Sequence, residues 1–313
     1  MSSHRILFDG DPGIDDALAL LYALKSEKVK LEGITTVGGN ISLDKTTLNA
    51  LRILEITGNE NVPVTRGVPK PLMRVNKSVG EVHGADGLGN SGLPLPKIKE
   101  KSIHAVDFII DTIMENPGEI TLVPVGPLTN IAVSVIKEPR LKDYVKDLVI
   151  MGGAVTTFGN ITSEAEFNIY TDPEAAKIVF ESGLPITLVG LDVTMKTLLT
   201  PSHLEEIVSA NTPVTRFVDK IITHYMEFYK NVVGVNGCGM HDPLAVGVAI
   251  DRSLVKTRKL FVTVETRGEF TTGETVGDLR GSKEGLVHPP NMDVCIDVDA
   301  DRFIRSFIDV IKN

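Results

Sequence analysis

The chain alternates between short apolar runs and segments whose apolar residues recur at helical spacing, and this alternation restricts its fold most strongly. The runs "RILFDGD" (residues 5–11), "ITLVPVG" (120–126) and "DLVIMGG" (147–153) are typical of strands buried on both faces. Each run is followed by helical periodicity. The pattern predicts an α/β fold, an open and mostly parallel sheet with helices on both faces.

Further strands are predicted at residues 31–40, 186–194 and 259–265. The run "NMDVCIDVD" alternates strictly between polar and apolar residues, which predicts a half-exposed strand, and an amphipathic helix is expected at 300–313. Because no composition shift divides the chain, we treat residues 1–313 as one domain.

Ligands of open parallel sheets bind beyond the carboxyl ends of the strands, so the residues there are the first candidates for a site. Asp11, Asn40, Val125 and Met151 occupy such positions. The longest irregular segment runs from about residue 69 to 100 and has the length of a lid or binding loop.

Four carboxylates, Asp9, Asp11, Asp15 and Asp16, lie within eight positions after the first strand. At about 4 Å, each like-charge pair costs roughly 4 kcal/mol at an effective dielectric constant near 20. Taken singly, they could form turns or favour a helix N-terminus. Together they indicate a bound cation, and oxygen ligands without His or Cys favour Ca²⁺ or Mg²⁺.

Charge and cysteine content exclude several classes of partner. The net charge of −9 and the isoelectric point near 5.3 argue against nucleic acid and against an anionic membrane. The only cysteines, Cys238 and Cys295, make neither a disulfide framework nor a zinc cluster. Since the first residues also lack a secretory pattern, we expect a cytoplasmic protein.

An ordered set of motifs resembles the calcium-dependent nucleoside hydrolases of the inosine-uridine preferring type. The run "DGDPGIDD" looks like their D-x-D-P-G-x-D-D signature. The similarity continues through "TTVGGN", "HGADGLG", "TLVPVGPLTNIA", "MGGAV", "GNITSEAEFNIYTDPEAA" and "HDPLAVG", in order over some four-fifths of the chain. The resemblance implies a Rossmann-like nucleoside hydrolase fold with Ca²⁺ as cofactor.

The resemblance also implies which residues hold the metal. Asp11 matches the family residue that contacts calcium and takes a proton from the attacking water held there. Asp16 and Asp242 match carboxylate ligands, and Val125 stands where the family uses a backbone carbonyl.

Contacts to the substrate are implied in the same way. Residues around the ribose and the water are Asp15, Asn40, Asn160, Glu166 and Asn168, with Met151 and Phe167 lining the pocket. Near the nucleobase the resemblance places His83 and His241, with Tyr225 and Tyr229 able to stack on the base. His241 is expected to protonate the leaving base near neutral pH, although alone it would suggest a helix cap.

The expected activity is hydrolysis of the N-glycosidic bond of ribonucleosides to ribose and free base, in purine and pyrimidine salvage, by a homotetramer or dimer. The expected preference is broad. A pyrimidine-specific enzyme is an alternative, with Thr223 and Glu227 as possible hydrogen-bonding groups for the base. A haloacid-dehalogenase-type phosphohydrolase, using Asp9 and Asp11, is less favoured because Asp15 and Asp16 follow at once. A nucleoside-binding protein without turnover is a further alternative.

Overall fold

Parallel strands form the centre of the molecule, in agreement with the sequence pattern. The structure is a computed structural model that describes residues 3–75, 80–280 and 288–313. Its strands are β1 (His4–Gly10), β2 (Val29–Thr36), β3 (Val64–Arg66), β4 (Ile120–Pro124), β5 (Asp147–Met151), β6 (Ile186–Val189), β7 (Leu198–Leu199), β8 (Cys238–Gly239), β9 (Val255–Leu260), β10 (Val262–Val264), β11 (Thr275–Gly277) and β12 (Met292–Val298).

Helices connect these strands and cover both faces of the sheet. They are α1 (Ile14–Lys25), α2 (Leu43–Thr57), α3 (Gly80–His83), α4 (Ala105–Met114), α5 (Thr129–Lys137), α6 (Leu141–Tyr144), α7 (Phe167–Thr171), α8 (Pro173–Phe180), α9 (Leu191–Thr194), α10 (Pro201–Val208), α11 (Pro213–Phe228), α12 (His241–Ile250) and α13 (Ala300–Lys312). A π-helical turn, Tyr229–Val233, continues α11, and a 3₁₀ turn, Arg252–Leu254, follows α12. None of the helices in the described ranges combines the length and the apolar character needed to cross a membrane.

Eight strands pair in the order β3-β2-β1-β4-β5-β6-β12-β9. The pairs are parallel except that between β12 and β9, which is antiparallel. The predicted fold class is therefore confirmed. Because β1 lies between β2 and β4, the acidic segment that follows β1 leaves the middle of the sheet rather than its edge.

Side chains of the central strands alternate between two hydrophobic cores. Ile6 and Phe8 of β1 belong to the core that includes α1, α12 and α13, whereas Leu7 belongs to the core under α4, α5 and α8. All three are fully buried, and each such burial contributes about 1.5–3 kcal/mol. Because helices cover both faces of the sheet, side chains on both faces of these strands are buried, and their sequences contain continuous apolar runs.

Three predicted strands differ in extent from what the sequence indicated. The strand expected at residues 31–40 begins at Val29 and ends at Thr36. The strand expected at residues 186–194 ends at Val189, and after Gly190 the chain forms the short helix α9. A Cβ on Gly190 would lie 2.8 Å from the Gly153 carbonyl oxygen, so the chain packs closely as it leaves the sheet. The strand expected at 259–265 divides after Leu260. There the Asn291 side chain accepts the Val262 N–H at 2.8 Å and donates to the Val262 carbonyl at 2.9 Å, so these backbone groups bond to a side chain and not to a neighbouring strand.

Strand β12 is only partly as its alternation predicted. Met292 and Val294 are buried, but Ile296 is 39 % exposed. The pairing of β12 with β9 shifts register between Cys295 and Asp297, as at a β-bulge. The simple alternation of buried and exposed side chains is therefore interrupted there. The C-terminal helix α13 buries one apolar face, as expected.

Candidate functional site

The carboxyl ends of the central strands surround one cavity of about 560 Å³. It is lined by most of the residues that the sequence analysis singled out, namely Asp15, Asn40, His83, Val125, Met151, Asn160, Glu166, Phe167, Asn168, Tyr225, Tyr229, His241 and Asp242. The other two, Asp11 and Asp16, are fully buried at the start of α1. Residues separated by more than 200 positions thus meet at one edge of the sheet, as parallel topology requires.

The turn between β1 and α1 is organised by the Asp16 side chain. One oxygen of Asp16 accepts the Asp11 N–H at 2.9 Å, and the other accepts the Gly13 N–H at 3.0 Å. These bonds satisfy amides at the N-terminus of α1 that have no helical partner. Asn40, from the end of β2, donates its side-chain N–H to Asp16 at 3.1 Å and its backbone N–H to Asp11 Oδ2 at 2.5 Å.

Several carboxylate oxygens nevertheless remain without a hydrogen-bond partner. Among the described residues, these buried atoms include Asp9 Oδ2, Asp11 Oδ1 and Asp15 Oδ1. Buried acceptors left unsatisfied cost about 1–3 kcal/mol each, and more when they are charged. The unsatisfied oxygens of the neighbouring Asp11 and Asp15 are therefore an observation in favour of a bound cation.

Burial and mutual repulsion raise the pKa of these carboxyls. Burial, followed by the charge of Asp15, raises the pKa of Asp16 to about 8, and burial raises that of Asp9 to about 7. Burial and the neighbouring acids hold the pKa values of Asp11 and Asp242 well above the usual range. A divalent cation would reverse these effects because it favours the ionised form of every ligand.

A metal-binding geometry exists at this point. Oxygen atoms of Asp15, Asp16 and Asp242 all lie within 4.8 Å of one another, so this buried triad can bind a metal ion. The sequence analysis placed Asp11 rather than Asp15 in the ligand set. Asp11 adjoins the triad through its N–H bond to Asp16, and its Oδ1 is also free of protein partners. All of these donors are oxygens, which suits a hard cation.

The backbone approaches Asp11 closely from two sides. A Cβ on Gly39 would lie 2.0 Å from Asp11 Oδ2, and one on Gly126 would lie 2.4 Å from Asp11 Oδ1. Only glycine fits at these two positions without displacing the carboxylate. The glycines of "TTVGGN" and "PVGPL" therefore fix the position of Asp11.

Polar groups on the opposite side of the cavity come from β4, β5 and α7. Asn168 donates its side-chain N–H to the Val125 carbonyl at 2.8 Å and to the Met151 carbonyl at 3.3 Å. Glu166 caps α7 by accepting the N–H groups of Asn168 and Ile169, and it also accepts that of Gly153. A carboxylate has about four acceptor positions, so Glu166 retains capacity for one more donor.

Aromatic residues and histidines form the remaining wall. His83, from α3 in the long irregular segment, accepts the Ile14 N–H at its Nδ1 (3.1 Å) and stacks on Tyr225 with ring centroids 5.9 Å apart. Part of that segment, residues 76–79, lies outside the described residues. Tyr225 and Tyr229 meet edge to face at 4.9 Å. The Tyr225 hydroxyl donates to Asp15 at 3.5 Å, so this wall contacts the acidic cluster.

His241 differs from its expected state. Burial lowers its pKa, and that of His83, so both imidazoles are mainly neutral at pH 7. Its Nε2 lies 2.6 Å from the Tyr229 hydroxyl and its Nδ1 lies 2.8 Å from Thr194 Oγ1.

Some residues near the cavity were missed or misplaced by sequence reasoning. Leu191 and Met195 line the cavity, and Thr194 contacts His241, because the expected strand is the helix α9. The exposed Thr223 and Glu227 do not belong to the cavity lining. An apolar rim was also not foreseen, and it includes Val82, Phe158, Ile161, Phe228, Val232 and Val233.

Known proteins resemble this chain over almost its whole length. The family model of the inosine-uridine preferring nucleoside hydrolase matches residues 6–305. The inosine-uridine preferring nucleoside hydrolase of Crithidia fasciculata is 40 % identical over 310 residues, covering 98 % of this chain and 97 % of that protein. The pyrimidine-specific ribonucleoside hydrolase RihA of Citrobacter koseri is 39 % identical over 303 residues, covering 96 % of this chain and 95 % of that protein.

A solved structure agrees with these sequence matches. The purine-preferring ribonucleoside hydrolase from Gardnerella vaginalis superimposes with a TM-score of 0.93 at 37 % identity, covering 98 % of each chain. The resemblance inferred from the motifs is confirmed, and the phosphohydrolase alternative is wrong. The chain belongs to the inosine-uridine preferring nucleoside hydrolase family.

Proposed function

We propose that this protein hydrolyses the N-ribosyl bond of ribonucleosides to give ribose and free base, with calcium as its cofactor. The observation that carries the proposal is the cavity lined by Asp15, Asp242 and Asn168, together with the buried metal-binding geometry of Asp15, Asp16 and Asp242. Breaking this bond creates positive charge on the ribose, and carboxylate and amide oxygens stabilise that charge.

Asp11, Asp16, Asp242 and the Val125 carbonyl would hold the ion, with Asp15 as a further ligand suggested by the triad geometry. A bound calcium ion would supply the positive charge that keeps these carboxylates ionised and would help to orient the sugar hydroxyls. Oxygen-only ligands support calcium over softer metals.

The residues of the chain have separate roles in the reaction. Asp11 Oδ1, which has no protein partner, accepts a proton from the attacking water. Asp15 and Asn40 orient the ribose 2′-hydroxyl and the water. Asn160, Glu166 and Asn168 hold the other hydroxyls, with Met151 and Phe167 packing against the sugar.

The departing base is received by the aromatic wall. Tyr225 and Tyr229 offer aromatic rings on which any base can stack. This supports a broad inosine-uridine preference. His241, together with Tyr229, supplies a hydrogen bond or proton to the base. His83 stacks on Tyr225 in the same wall. A pyrimidine-specific enzyme is the second candidate, because the relative from Citrobacter koseri is named as one.

The test measures ribose and base released from inosine, uridine, cytidine and adenosine, with calcium or with a chelator. We expect release from at least inosine and uridine and its loss in chelator. Asp11→Asn should lower kcat about 10²- to 10⁴-fold, the usual contribution of a general base, while substrate binding measured by calorimetry persists. A wild-type protein that binds uridine without releasing ribose would instead be a binding protein.

We also propose that the chain forms one domain and assembles as a homodimer or homotetramer in the cytoplasm. The family resemblance is what supports an oligomer. The two free, buried cysteines suit a reducing compartment. Light scattering after gel filtration tests the assembly, and a monomeric mass would contradict it.

A further inference from the structure

Both ring nitrogens of His241 are occupied by side-chain hydroxyls. Tyr229 lies 2.6 Å from Nε2, and Thr194 lies 2.8 Å from Nδ1. The imidazole is 5 % exposed and Thr194 is fully buried. Tyr229 lines the cavity, whereas Thr194 contacts the ring from the far side.

The backbone fixes Thr194 beside the ring independently of its hydroxyl. Strand β7, which follows Thr194, pairs with β8, which precedes His241, and the Met240 N–H donates to the Thr197 carbonyl at 2.9 Å. A valine at position 194 would therefore keep its place and its volume, but it would leave Nδ1 without a partner.

The ring is also confined next to Tyr229. A Cβ on Gly239 would come within 2.7 Å of His241 Nε2 and 2.8 Å of the Tyr229 hydroxyl. The imidazole and the phenol thus pack directly against the backbone of Gly239. Rotation of the imidazole is then controlled by its two hydrogen bonds.

We propose that Thr194 is a positioning residue for the leaving-group end of the site: it orients the His241 ring so that Nε2 meets the Tyr229 hydroxyl facing the nucleobase. A hydroxyl suits this place because it can accept from Nδ1–H or donate to a bare Nδ1. Thr194 can therefore hold the ring in either tautomer. The proposal rests on the proposed function and assigns Thr194 no contact with substrate.

The test compares two leaving groups in Thr194→Val and Thr194→Ser. Uridine and inosine need help in releasing the base, whereas 4-nitrophenyl β-ribofuranoside releases a stable anion that needs no proton. We expect Thr194→Val to lower kcat/KM about ten-fold for the nucleosides, the effect of one lost hydrogen bond, and less than two-fold for the nitrophenyl riboside. Thr194→Ser should restore the nucleoside rate. An equal loss for both substrate classes, or no loss for either, would overturn the proposal.

Thr47→Val is the matched control, because Thr47 is likewise buried and its hydroxyl bonds to the Thr36 hydroxyl and the Leu43 carbonyl, both remote from His241 in the described structure. It should change kcat/KM less than two-fold for every substrate, and a loss as large as that of Thr194→Val would overturn the proposal.

A second readout does not depend on activity. In ¹⁵N-histidine-labelled protein, the His241 ring signals should shift in Thr194→Val and stay in place in Thr47→Val. A wild-type protein that releases no base would defeat the proposed function, and the nitrogen signals would still decide the Thr194 bond. Unchanged His241 signals in Thr194→Val would overturn that bond.

Discussion

Replacing Asn40 by aspartate adds one negative charge to the acidic cluster with almost no change in shape. The Asn40 side-chain N–H donates to Asp16 Oδ2 at 3.1 Å and to the Asp11 carbonyl at 3.3 Å. Asn40→Asp exchanges these donors for a carboxylate oxygen facing Asp16. Asn40→Ala removes the donors without adding charge, so the difference between the two variants isolates the electrostatic effect.

The expected magnitudes follow from this geometry. A lost hydrogen bond to a charged acceptor costs about 1.5–3 kcal/mol, which is the prediction for Asn40→Ala. Two carboxylates about 4 Å apart repel by about 4 kcal/mol at an effective dielectric constant near 20. We therefore expect Asn40→Asp to lower the free energy of unfolding about 4 kcal/mol more than Asn40→Ala when both carboxyls are ionised.

Urea unfolding measures this difference. At pH 9 with a chelator, wild-type Asp16 is mainly ionised because its pKa is about 8. A repulsion of about 4 kcal/mol would raise the pKa of Asp16 in Asn40→Asp above this pH, so one carboxyl keeps its proton and the observed difference should be about 1–2 kcal/mol. The difference in unfolding free energy between the two variants should narrow at pH 6, because the carboxyls take up protons. It should also narrow at pH 9 when calcium supplies positive charge. Equal unfolding free energies of the two variants at pH 9 in chelator would refute the close electrostatic coupling of the cluster.

Three more predictions concern the same site. Burial raises the pKa of Asp9 to about 7 from 3.8, so the folded protein holds this proton more tightly; without a cation, stability should fall as pH rises from about 4 to 7. Asp9→Asn should flatten that slope in urea unfolding at pH 5 and pH 8, and an unchanged slope would contradict the assignment. Gly39→Ala should displace Asp11 and abolish calcium binding in calorimetry, whereas Gly80→Ala, where a Cβ would meet no atom of the described residues within 4 Å, should bind normally. For 2′-deoxyuridine, kcat/KM should be at least about ten-fold lower than for uridine, because Asp15 and Asn40 lose a hydroxyl partner.

The sequence predicted the fold and most of the cavity because both depend on local patterns. Buried strands followed by helical spacing specify a parallel sheet, and such a sheet brings its strand ends together. Asn40, Val125 and Met151 were predicted at this edge for that reason, whereas Asn168 was found only through the family resemblance.

What the sequence did not predict depends on contacts between distant segments. "ITLVGLDVT" is as apolar as a strand, but its second half forms α9, where Gly190 packs closely against the Gly153 carbonyl. The role of Thr194 was hidden for this reason. Likewise, His241 was expected to titrate near neutrality, but its burial lowers its pKa.

The central claim is that one divalent cation joins the acidic start of α1 to Asp242 at the start of α12. Calorimetric titration of chelator-treated protein with calcium, in parallel for the wild type and Asp242→Asn, tests it most directly. We predict one ion bound per chain in the wild type, with a raised thermal midpoint, and affinity at least about ten-fold weaker in Asp242→Asn. The absence of calcium binding at millimolar concentration, or equal affinity in the two proteins, would contradict the claim.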